Sequence, residues 1–213
     1  MAESVKSTRS YESPLRRQQA AATRSAVVEA AAELFERDGY ARTTLAGVAD
    51  SAGVSLATVY AAFSNKRGLL RAVFSWAAAG GADPRPVVDD AWLEELATEP
   101  DGRQRLAMMA ARTRGMLDRS AALNEMVHIA ASTDPELADL EAEMDAQRRS
   151  DIAAMVVALA DTGALRLPTR DAVDLLWALG TSDLYLRLRR TGRWSATRAD
   201  AQIEDLLARI LFD

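Results

Sequence analysis

The only histidine of the chain, His128, lies in Glu125-Met-Val-His128-Ile, and one imidazole beside one carboxylate is too little for a metal site or a catalytic dyad. No cysteine is present, which removes thiolate metal sites, disulfide scaffolds and cysteine nucleophiles together. An enzyme would need a nucleophile with its base, a metal cluster or a phosphate loop, and the sequence holds no G-x-G-x-x-G, P-loop, H-E-x-x-H or G-x-S-x-G. Catalysis, a cofactor and a metal are therefore not expected. The residues with most to offer a ligand are adaptable and apolar: Met109, Met116, Met126, Met155 and Trp177, joined by His128 and Tyr185 as polar handles. Small-molecule pockets use that mixture. Every one of these side chains also suits ordinary core packing.

The elements that must position them are helices. The chain has 213 residues, 49% hydrophobic but only 6% aromatic, and its glycines and prolines cluster at a few points, so an all-α fold with ample core is expected. No apolar run approaches the about 18 residues of a membrane span, and the N-terminus lacks a signal-peptide stretch, which predicts a cytoplasmic protein with no membrane partner. The net charge of −5 hides an asymmetry. Residues 1–75 hold ten Lys/Arg against seven Asp/Glu, and the remainder holds 16 against 24. A mildly basic head on an acidic body suits a module that approaches phosphate at one end, although scattered surface charge could give the same balance.

Residues 1–15 carry no period and read as a flexible basic arm. From about Arg17 to Asp38, Val27, Ala31, Leu34 and Phe35 form one helical stripe that Gly39 stops. Thr43 and Thr44 offer caps for a short helix with Leu45, Val48, Ala49 and Ala52 on one face; Ser55 caps a second short helix holding Val59 and Phe63; Ser64-Asn65 caps a fourth helix. The segment 77–86, with Gly80-Gly81, Pro84 and Pro86, marks a boundary between a domain over 16–80 and a larger one over 87–213. Beyond it, helices are expected near 88–97, 101–118, 120–131, 134–161, 169–190 and 197–212.

Two short helices joined at Gly53 bury little alone and need the first helix as a platform, which is the logic of a helix-turn-helix domain whose second short helix enters the major groove. The segment from Ala30 through Asp38-Gly-Tyr-Ala-Arg-Thr-Thr-Leu45, then Val48-Ala-Asp-Ser-Ala-Gly-Val-Ser55, Thr58-Val-Tyr60 and Phe63-Ser-Asn-Lys66, closely resembles the TetR/AcrR family of repressors. Leu184-Tyr185 and Gly192-Arg-Trp-Ser195 resemble family ligand domains more weakly. The resemblance implies a three-helix DNA-binding domain joined by the fourth helix to a helical effector-binding and dimerisation domain. It implies backbone contacts from Thr44, Thr58, Tyr60 and Lys66, with Leu56, Ala57 and Ala61 near the bases. Thr44 could instead be merely a cap, and Tyr60 partly core.

The reading surface departs from the family's frequent polar residues, because Leu56, Ala57, Ala61 and Ala62 cannot hydrogen-bond. Direct readout would lean on thymine methyls and Thr58, helped by DNA shape or by the arm with Lys6, Arg9, Arg16 and Arg17, which a solvated tail without function would explain equally well. The resemblance further implies a homodimer through the last two helices, where Ile203, Leu206, Leu207, Ile210 and Leu211 make a stripe that a purely internal core would also explain. The function expected is a sequence-specific regulator, a repressor released from a double-stranded operator by an unknown small-molecule effector. An architectural or effector-independent DNA-binding dimer is the alternative, and activation stays open.

Overall fold

The computed structural model describes residues 14–81 and 86–212. The arm therefore lies outside the described residues apart from Pro14 and Leu15, which open the first helix; Arg16 and Arg17, expected to precede that helix, lie within its first turn. Every regular element among the described residues is helical. Four form the head: α1 (Pro14–Arg42), α2 (Leu45–Ser51), α3 (Leu56–Phe63) and α4 (Lys66–Ala78). Gly39 interrupts α1 at φ 76°, a left-handed angle that glycine adopts without a Cβ penalty. Thr43 then turns back, its hydroxyl donating to the carbonyls of Leu34 (3.1 Å) and Gly39 (2.9 Å). Thr44 alone caps α2, accepting from the Gly47 amide at 3.0 Å. Ser55 caps α3 and Asn65 caps α4 in the same way. The turn between α2 and α3 passes through Gly53 at φ 66°.

The body comprises α5 (Asp90–Ala97), α6 (Gly102–Thr113), α7 (Met116–Ala131), α8 (Pro135–Ala160), α9 (Thr169–Leu179), α10 (Ser182–Leu186) and α11 (Ala196–Leu211), with a π-helical turn over Arg187–Thr191 continuing α10. Two boundaries differ from the sequence expectation. The break between α6 and α7 falls at Gly115, at φ 71°, and not near residue 119. The helix expected over 169–190 breaks at Gly180, where a Cβ would lie 2.9 Å from the Leu176 carbonyl, and Thr181 caps the next start through the Leu184 amide. No single helix among the described residues is long and apolar enough to cross a membrane.

Packing does not follow the chain's linker. The core of the head, with Phe35, Val59, Leu69, Leu70 and Val73, continues without interruption into Leu123 and Val127 of α7 and Leu137 and Leu140 of α8. A second core inside the body gathers Trp92, Leu96, Leu106, Met109, Val156, Leu159, Leu176 and Leu211. Arg105 is buried with it, and its guanidinium donates to the carbonyls of Ala97 (2.9 Å), Glu99 and Ala158. One cation thus ties off the C-terminal ends of α5 and α8, whose last carbonyls have no partner within their own helices.

Candidate functional site

Helix α3 is positioned by its inward side chains. Val59 and Phe63 are buried, which at 100° per residue turns Leu56, Ala57, Tyr60 and Ala61 to solvent together. Leu56 is 41% and Tyr60 51% exposed, so the tyrosine is not a core residue. Thr58 is half-buried, its hydroxyl 2.8 Å from that of Ser55. Thr44 is exposed at the start of α2 while serving as its cap. Lys66 is turned inward: its ammonium lies 4.0 Å from the centre of the Tyr40 ring and donates to the Tyr40 carbonyl. Burial holds its pKa below the ordinary lysine value. Sequence reading missed Arg24 of α1, which donates to the Ala62 carbonyl at 2.8 Å and stacks 4.3 Å from the Phe63 ring centre. Only its charge was visible in the sequence; the contact spans 38 residues of chain.

A partly open cavity of about 900 Å³ lies in the body against α4. Of the seven expected ligand residues, Met109, Met116, His128 and Met155 border it. Met126, Trp177 and Tyr185 do not. Met126 packs on the core shared with the head. Trp177 donates its indole N–H to Asp145 at 3.0 Å and lies against Arg148 and Arg149. Tyr185 is wholly buried and donates to Asp118 at 2.9 Å; burial, reinforced by that carboxylate, pushes its phenol far above the ordinary value. Wall residues that the sequence did not single out include Phe74, Leu106 and Leu176. At the rim, His128 Nδ1 lies 2.8 Å from Glu141, a hydrogen bond that raises the imidazole pKa.

The cavity borders the helix that carries the head. Arg71, Phe74, Ser75 and Ala78 of α4 are in its wall. The same helix is clamped twice to the body. Arg67 donates to Glu143 of α8 at 2.5 Å, Arg71 donates to the same carboxylate, and together they hold it below the usual carboxylate range. At the other end, Arg119 of α7 donates to the carbonyls of Ala77 (3.0 Å) and Ala78 (2.6 Å). The cavity and α4 therefore share wall residues, and Glu143 both borders the cavity and holds α4.

These elements define a helix-turn-helix domain fused to a hollow helical body. Residues 27–73 match the family model described as bacterial regulatory proteins, tetR family. A curated relative, the HTH-type transcriptional regulator TtgR of Pseudomonas putida, is 42% identical over 57 residues, 27% of this chain and 27% of that one. The match thus spans about a quarter of the length of that relative. The solved structure of a TetR-family transcriptional regulator from Rhodococcus sp. superposes with a TM-score of 0.67 at 21% identity, covering 90% of this chain and 99% of that one. A SmeT–triclosan complex superposes at 0.64 and 19% identity over 90% and 92%. Residues 27–73 are thus similar to the tetR family of bacterial regulatory proteins, and the described fold as a whole is similar to that of solved TetR-family regulators.

Proposed function

We propose that this protein is a cytoplasmic, homodimeric transcriptional repressor that binds a double-stranded operator through α3 and is released by a small molecule entering the body. The observation that carries the reading is the cavity placed directly against α4, the helix that holds the DNA-binding head. A dimeric regulator with nothing to sense has no use for a void of that size, which argues against the effector-independent alternative. The triclosan complex of a protein with the same fold lends further support. Phosphate contacts fall to Thr44, Thr58 and Tyr60, with Lys66 joining once it leaves Tyr40; Leu56, Ala57 and Ala61 offer methyl surface to base edges.

Dimerisation is supported by α11, where Leu206 is 41% exposed and Ile210 is only half-buried, leaving apolar surface for a second copy. An effector that binds better when α4 is shifted lowers operator affinity, and the operator lowers effector affinity by the same factor. Selection of bound duplexes from genomic DNA, followed by a screen for molecules that release them, tests the whole reading. A palindromic operator and at least one releasing ligand are expected; failure to enrich any duplex overturns the DNA-binding assignment.

A further inference from the structure

We propose that the cavity takes an apolar cation, a small molecule with a quaternary or protonated nitrogen carried on hydrocarbon or aromatic surface. This rests on the effector reading above and adds to it the charge of the ligand. Phe74, Leu106, Met109, Met155 and Leu176 supply the apolar wall, and thioethers and an aromatic ring are polarizable surfaces that accept a diffuse cation.

The ionised groups set the sign. Eight carboxylates border the cavity against three arginines and His128. Each arginine is already committed, Arg71 to Glu143, Arg114 to Glu204 at 3.8 Å and Arg148 to Asp145 at 2.8 Å. Glu125 and Glu141 are held by Arg190 and His128. Asp151, Asp183 and Asp200 are left, and none has an ion-pair partner among the described residues. Asp151 accepts from the Gln147 amide at 2.8 Å, and Asp183 lies in the first turn of α10. Asp200 of α11 is half-buried, and that burial pushes its carboxyl above the usual range despite the Gly115 backbone and the more distant Arg114 and Arg189.

An anionic amphiphile entering this space meets three uncompensated carboxylates and no guanidinium free to receive its head. A cation meets the reverse. At Asp200, which is half-buried, such a pairing weighs more than it would at an open surface.

Calorimetric titration of the whole chain separates the possibilities with three probes of similar shape: tetraphenylphosphonium, tetraphenylborate and neutral triphenylphosphine oxide. The cation should bind at least about tenfold more tightly than the anion. Filling the wall with Ala110→Trp should abolish its binding. Asp200→Asn, and independently the exposed Asp183→Asn, should each weaken the cation about threefold or more while leaving the neutral probe unchanged. Equal binding of all three probes, or amide variants without effect on the cation, overturns the charge assignment while leaving the effector cavity standing. No binding and no change in melting temperature with any probe overturns the effector reading along with it.

Discussion

The two cores of this molecule are built from the same helix type and much the same residues, yet the head's core meets the cavity only at its Phe74–Val127 edge, while the body's core borders it widely. Around Phe35, Leu69, Leu70 and Val73 the side chains are 1% exposed or less, and α1, α4, α7 and α8 contribute to a single block. In the body, Leu106, Met109, Met155 and Leu176 are buried, yet each also faces the cavity. The head's block gives α3 a fixed seat, from which it would meet DNA on the proposed function. The hollow one leaves room for a ligand to change which packing is favoured. The head's block also crosses the linker, so α7 and α8 are shared between the part that would sense and the part that would read.

The comparison is broken most directly by deleting equivalent side chains. Leu69→Ala removes atoms with contacts on all sides and should cost about 2–5 kcal/mol in urea denaturation, while Leu106→Ala enlarges an existing void and should cost about half as much. The reverse order would mean that the cavity collapses in solution. Next in size is Arg105→Met, which keeps the bulk but strands the carbonyls of Ala97, Glu99 and Ala158; about 3 kcal/mol should be lost, read from the same denaturation curves. A cost below about 1 kcal/mol would show that water replaces the guanidinium.

Filling the void should have the opposite sign. Ala110→Leu adds apolar surface where space is free, and a gain of about 1 kcal/mol is expected together with loss of ligand-induced release from DNA. The head offers a matching small change. Arg24→Met removes the hydrogen bond to Ala62 and the stacking on Phe63, and should cost about 1 kcal/mol of stability while weakening operator binding in a mobility-shift assay. Stability lost without any effect on DNA would remove Arg24 from the positioning of α3.

The same contrast explains what could be read from the sequence. The head was legible because each of its short helices announces itself by local chemistry: Ser55 and Asn65 cap, Gly53 turns, and the spacing of Val59 and Phe63 fixes which side of α3 faces out. The body was legible as helices but not as pieces, since apolar residues resume at Leu184 only a few positions after Gly180 and the turn at Gly115 lies among good helix formers. Periodicity identifies an inward side chain without saying whether what it meets is another side chain or empty space. Met109 and Met155 face the void, whereas Met126 and Tyr185, equally inward in the sequence, meet filled core. Lys66 shows a further gap: its charge was plain, but its seat on Tyr40 depends on a contact across 26 residues.

The smallest expected effect lies at the rim of the hollow side. Glu141 raises the His128 pKa chiefly through their hydrogen bond, so the folded protein binds the imidazole proton more tightly than the unfolded chain does. That contribution is complete below the unfolded histidine's pKa and disappears as pH rises through the raised folded value. The two side chains are 71% and 40% exposed, so solvent screening limits the pair to about 0–1 kcal/mol. Proton NMR of the single imidazole should give a midpoint above that of an unfolded reference peptide, and Glu141→Gln should bring it down. Stability compared at about pH 5 and about pH 8 should then differ less in the variant than in the parent. An unshifted midpoint in the parent would show that the rim bond is not kept in solution, and would leave Glu141 as a further uncompensated carboxylate on the cavity wall.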